Sequence, residues 1–142
     1  MSRHARGSAL LLCLAITLAG CMTDSKSQVL AVDRSQVQLR AVQTRAFDTS
    51  DRATVFRASI ATLQDLGFVI DKADDTLGTI SATKLSGYQM RITVTIRPRG
   101  GHQIAVRASA QYNAEAVSDA GPYQQFFAAL EKSLFLTANE VD

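Results

Sequence analysis

A chain of 142 residues, 46 % of them hydrophobic, is long enough to bury one core and too apolar to stay unfolded. Lys and Arg number 15 against 13 Asp and Glu, a net charge of only +2, which argues against a general nucleic-acid binder with its strongly basic footprint. Two cysteines are too few for a disulfide-stapled scaffold.

The N-terminus is basic, with Arg3 and Arg6, and Ala9 to Leu18 follows as an apolar run. That length suits a secretory signal and is too short for a mature membrane-spanning helix. The run closes on Leu18-Ala19-Gly20-Cys21, which resembles a bacterial lipobox. The resemblance implies that Cys21 receives a diacylglycerol thioether, that residues 1–20 are removed, and that the new amino group is acylated. The same residues also suit an uncleaved signal anchor or an ordinary secretory signal. Acylation on two or more chains gives stable anchoring, since each buried CH₂ contributes roughly 0.8 kcal/mol. Met22 stands where inner-membrane retention signals of such lipoproteins carry Asp, so the resemblance points to the outer membrane, with the polypeptide facing the periplasm.

Removing residues 1–20 takes away Arg3, Arg6 and Cys13, which leaves Lys and Arg equal to Asp and Glu. Cys21 is then the sole cysteine, its sulfur alkylated, so no disulfide or thiol nucleophile is expected. Residues 21–36 are polar and unpatterned, and read as the lipidated cysteine and a tether. Residues 37–142 read as a single domain.

Val37 to Phe47 mixes β-branched and polar residues and predicts a strand. Asp48-Thr49-Ser50-Asp51 supplies acceptors for a helix start, and Ala53, Phe56, Ile60 and Leu63 form a helical stripe. Gly67 predicts a left-handed cap with Phe68 folding back on Leu63. Strands are expected at 68–72 and 77–85 around an Ala73-Asp74-Asp75-Thr76 turn. Tyr88, Met90, Ile92, Val94 and Ile96 alternate with polar residues, as do Ile104, Val106, Ala108, Ala110 and Tyr112 after a turn at 98–102. Facing Ile96 with Ile104 would put both apolar sets on one side. Tyr123, Phe127, Leu130 and Leu134 line a final helix, with Pro122 in its first turn. The expected architecture is α+β in the order β-α-β-β-β-β-α, a two-layer sandwich of an antiparallel sheet with two amphipathic helices on one face.

Three pieces carry a family resemblance: Gln43-Thr44-Arg45-x-Phe47, Leu63-Gln64-Asp65-Leu66-Gly67-Phe68, and Leu77-Gly78 before a strand ending in Lys84. They resemble small Gram-negative outer-membrane lipoproteins. More loosely, the helix, Leu-x-x-x-Gly-Phe, acidic turn, Gly and strand are similar to the domains of the C subunit of the β-barrel assembly machine. That likeness implies a noncatalytic accessory lipoprotein with helix-on-sheet domains and transfers no binding residue.

Signals of catalysis are weak. His102 stands alone in an Arg-Gly-Gly-His turn, and G-x-S-x-G does not occur. Asp71, Asp74 and Asp75 lack the spacing of a calcium loop and read as a polar turn; neither a metal nor a cofactor is expected. The candidate interaction surface is Arg91, Arg97 and Arg107 on the polar hairpin face, Arg99 at its tip, and Gln43 with Arg45 from the family-like motif. Gln43, Arg45, Gln64 and Asp65 suit a hydrogen-bond network between elements as well as a partner site. An unpaired sheet edge is a further place for contact. These residues point to an accessory or scaffold subunit of an envelope assembly, in transport, efflux or barrel assembly, with the membrane and an envelope protein as partners. The alternative is an apolar ligand or lipid held between sheet and final helix, lined by Tyr88, Tyr112, Tyr123 and Phe127.

Overall fold

The computed structural model describes residues 35–86 and 88–139, and only the backbone of residues 86, 88 and 136–139. Cys21, the signal segment and the tether as far as residue 34 lie outside the described residues. Leu39–Asp142 forms one compact unit, and Met1–Gln38 is a separate one.

A helix over residues 35–43 (α1) runs directly into the short strand Thr44–Phe47 (β1), where one continuous strand from Val37 is expected. Gln, Arg and Leu are good helix formers, and the spacing of Leu39 and Val42 sets both against the core. The tether's expected last residues, 35 and 36, are therefore helical.

The next helix, Arg52–Asp65 (α2), starts on Asp51, whose carboxylate accepts from the Thr54 amide at 2.9 Å and the Thr54 hydroxyl at 2.6 Å. It ends as expected. Gly67 sits at φ +84°, its amide donates to Gln64 O at 2.9 Å, and the Phe68 amide donates to Leu63 O at 2.9 Å. The buried stripe of α2 is Val55, Phe56, Ala58, Ser59, Thr62 and Leu63, so Ala53 faces outward and two hydroxyls face inward.

Strands Val69–Asp74 (β2), Thr79–Ser86 (β3), Tyr88–Arg99 (β4), Gln103–Tyr112 (β5) and Glu115–Ala116 (β6) complete a six-stranded antiparallel sheet. Its order is β1-β5-β4-β3-β2, with β6 sharing the β5 edge with β1. The turn between β2 and β3 requires glycine at 78: φ is +62°, and a Cβ there would stand 2.4 Å from Ile96 O. The Gly78 carbonyl accepts from the Ile96 amide at 2.7 Å.

The hairpin pairs Ile96 with Val106 and Pro98 with Ile104, two residues away from the expected register. Strand β4 continues through Pro98 and Arg99, which shortens the turn. Proline is tolerated because β3 ends opposite Thr95, so the missing N–H of Pro98 faces no partner strand. A shift of two residues preserves the faces, and Ile92, Val94, Ile96, Ile104, Val106, Ala108 and Ala110 all remain buried. A final helix, Gly121–Asn139 (α3), adds buried Tyr123, Phe126, Phe127 and Leu130 to the same core, while Phe135 is exposed. Three helices are thus described, one more than expected, within an α+β sandwich.

Candidate interaction surface

Alternation along β4 and β5 separates two chemistries across one backbone. Even-numbered side chains from Met90 to Ile96 and from Ile104 to Ala110 enter the core; odd-numbered ones form a polar lattice of Gln, Thr, Ser, Ala and Arg. Arg91, Arg97, Arg99 and Arg107 are all exposed on that outward side. From Tyr88 to Tyr112 the chain carries these four arginines and no acidic residue.

The register divides the four. Arg97 pairs with Ala105 and Thr95 with Arg107, which makes Arg97 and Arg107 diagonal neighbours about 7–8 Å apart. Arg99 lies two residues beyond Arg97, a step of about 7 Å. Arg91, opposite Gln111, is about 20 Å back along β4 from Arg97 and about 14 Å from the Arg107 row, so it has no arginine as a near neighbour. Thr44 of β1 stands directly opposite Arg107, so the chain enters the sheet beside this cluster.

Gln43 and Arg45 do not join the arginine face. Gln43 is 6 % exposed, and its Nε2 donates to Tyr123 Oη at 3.2 Å. Arg45 pairs with Val106 and so lies on the inward parity. Its guanidinium donates to Ala41 O and Thr44 O and sits 5.5 Å from the centre of the Phe127 ring. Gln64 and Asp65 are exposed.

Tyr123 is the centre of a buried polar node. Its hydroxyl donates to Val117 O at 2.7 Å and accepts from the Ala110 amide at 3.2 Å as well as from Gln43. One donor and two acceptors are all that a phenol offers, so the group is saturated. The node serves the edge of β5 between β1 and β6, where Ala110 has no strand partner on that side.

The expected ligand space is displaced as a result. Tyr123 and Phe127 are buried core residues, and the Tyr88 side chain lies outside the described residues. A groove of about 230 Å³ instead opens beside the first turns of the final helix, lined by Leu66, Phe68, Met90, Tyr112, Phe126 and Lys84 among others. Among the described side chains, Tyr112 is the one expected residue on its wall. Lys84 was legible only as the end of a motif, yet it follows Ile80 and Ala82 on the inward parity, a signal that its stem packs inside. Its ammonium donates to Leu66 O at 2.7 Å, closing α2, and lies 5.7 Å from the Phe68 ring centre.

The acidic turn is consumed locally. Asp71 accepts from the Thr83 hydroxyl at 2.6 Å, Asp74 from the Leu77 amide at 2.9 Å, and Asp75 pairs with Arg52 at 3.4 Å. Among the described residues no group of three or more His, Cys, Asp or Glu is placed to hold a metal ion. His102 is exposed in the hairpin turn. The sheet edge at β2 carries no further strand among the described residues, and a bulge between Ile70 and Lys72 interrupts it. No described helix is long and apolar enough to cross a membrane. Compared with protein-family models and with curated proteins, the chain finds no match.

Proposed function

We propose that this chain is a noncatalytic lipoprotein, anchored through Cys21 in the periplasmic leaflet of an outer membrane, and an accessory or scaffold subunit of an envelope protein assembly. The observation that carries the reading is Leu18-Ala19-Gly20-Cys21 at the end of a basic and then apolar N-terminus. The folded unit supports it with an exposed polar face on β4 and β5 and with a β2 edge that carries no further strand among the described residues, both surfaces for contact. Anchoring would hold those surfaces at high local concentration beside any partner in the same membrane. Transport, efflux and barrel-assembly machines are the candidate assemblies.

In-cell crosslinking followed by affinity purification and mass spectrometry tests this, with Cys21→Ala as the control. A dominant envelope protein recovered with the parent chain and lost with the variant is the expected result. Recovery unchanged by Cys21→Ala would remove the anchor from the reading.

A second reading rests on the groove at Phe68, Met90, Tyr112 and Phe126, which would take a small apolar ligand. A stoichiometric adduct in native mass spectrometry, displaced in a Met90→Trp variant, would favour it over the scaffold role.

A further inference from the structure

We infer that Arg97, Arg99 and Arg107 form a docking patch for anionic phospholipid headgroups, laying the hairpin face of the domain on the leaflet that holds its own acyl anchor. This rests on the reading of Cys21 as a lipidated residue and goes beyond it, since an anchor alone leaves the domain's orientation open.

Three observations converge. The first is charge. Arg97 lies two residues along the ladder from both Arg99 and the Arg107 pair on an exposed face, and none of the three is ion-paired among the described residues. Each offers a planar fork that fits a phosphate oxygen pair. The hairpin that bears them has no carboxylate to compete.

The second is texture. Protein interfaces centre on aromatic or large aliphatic anchors seated in pockets. The outward side chains of Gln89 to Gln111 on β4 and β5 are Gln, Thr, Ser, Ala and Arg, with no such anchor. A flat polar lattice with protruding arginines matches a plane of headgroups better than a sculpted protein surface. Exposed Leu85 and Val69 share this face but lie on β3 and β2, in the rows of Gln89 and Arg91 and away from Arg97, Arg99 and Arg107, so the contact at the cluster itself is electrostatic.

The third is position. The chain enters the sheet at Thr44, directly opposite Arg107. Thirteen residues separate Cys21 from residue 35, and even fully extended they reach at most about 50 Å. The patch therefore stays within reach of the leaflet, where a weak attraction per arginine is enough to orient the domain.

The test uses the full chain, purified with its acyl groups and reconstituted into vesicles of phosphatidylcholine with or without a third of phosphatidylglycerol. Ser109→Cys carries a fluorophore on the arginine face, Glu131→Cys carries it on α3, and a quencher is fixed at headgroup depth. Quenching at position 109 should exceed that at 131 only when phosphatidylglycerol is present, and should fall away in high salt. Replacing the three arginines by Gln should lower the docked-to-undocked ratio roughly 100-fold. The intact mass of the purified protein reports separately on Cys21. Acyl adducts with quenching indifferent to phosphatidylglycerol or to the arginines would overturn the patch and leave the lipoprotein reading standing. An unmodified Cys21 would overturn both. Arginine-dependent recovery of an acidic protein, with quenching unchanged, would reassign the face to a protein partner and overturn the lipid assignment.

Discussion

Two polar groups flank β5, and they behave oppositely. On the inward side, the Tyr123 hydroxyl joins Gln43, Ala110 and Val117, and every donor and acceptor it owns is occupied inside the fold. On the outward side, Arg97, Arg99 and Arg107 are exposed, and none of them is ion-paired among the described residues. One strand carries both a cluster that specifies the structure, at Ala110, and one that is available to something else, beginning about 10 Å away at Arg107. Polar residue type alone does not tell them apart. What matters is whether neighbouring backbone groups need the side chain: the Ala110 amide lacks a strand partner on the β5 edge and takes the tyrosine, whereas the outward arginines stand on the paired β4–β5 ladder and make no such bond.

The sharpest way to break the comparison is Tyr123→Phe. The ring still fills its place, but the Val117 carbonyl, the Ala110 amide and the Gln43 amide lose their shared partner in a buried site. Leaving such groups unsatisfied costs roughly 1–3 kcal/mol, and this case belongs at the upper end because three are affected. Urea unfolding should show a lowered midpoint with an unchanged slope. An unchanged midpoint would mean that water reaches the node.

Thr62→Val inverts the experiment. Its hydroxyl is buried on α2 and has no hydrogen-bond partner among the described residues. Replacing it with a methyl of similar shape should stabilise the domain by about 1 kcal/mol, read as a rise in the same midpoint. Buried polar atoms would then divide by satisfaction, not by burial.

Most of this arrangement was legible in the chain, and the misses have physical causes. The cap of α2 and its glycine ending followed from local rules: an acceptor at Asp51 and a left-handed Gly67. The hairpin faces followed from strict alternation, and they survived a register error because a shift of two residues does not exchange sides. Residues 35–43 depart from the expected strand because a short segment satisfies both periods. Val37, Leu39 and Ala41 alternate like a strand, while Leu39 and Val42 are three apart like a helix, and packing decided. Gln43 fits the reading as part of a hydrogen-bond network between elements and not the one that groups it with the arginines, yet nothing local announces that a phenol 80 residues away will receive its amide. Lys84 shows the reverse case: its parity was readable, but its partner, the last carbonyls of α2, depended on how helix and sheet meet.

A smaller effect appears only in acid. Thr54, through its hydroxyl first and its amide second, holds the Asp51 carboxyl below the usual carboxylate range. A carboxyl with a lowered folded value contributes stability that is fully present above its unfolded value, about pH 4, and is lost as pH falls through the folded one. Asp51→Asn keeps a capping acceptor without the titration. Thermal melts should therefore place the parent above the variant near neutrality and bring the two together below about pH 4. A constant gap between them across that range would show that the charge plays no part in the cap.

The smallest expected effect is the most telling for function. Arg97→Gln, Arg99→Gln and Arg107→Gln each remove an exposed charge that supports no neighbouring group, so each should change stability by no more than about 0.5 kcal/mol in either direction. Removing mutual repulsion among three close cations would even favour the variant slightly, the more so at low salt. Equal melting temperatures would make any loss of vesicle docking in the triple variant a property of the surface itself. A clear drop in melting temperature would place the arginines with Tyr123 as part of what holds the sheet together. The contrast between the two sides of β5 would then disappear, and with it the reason for assigning the outward face a partner.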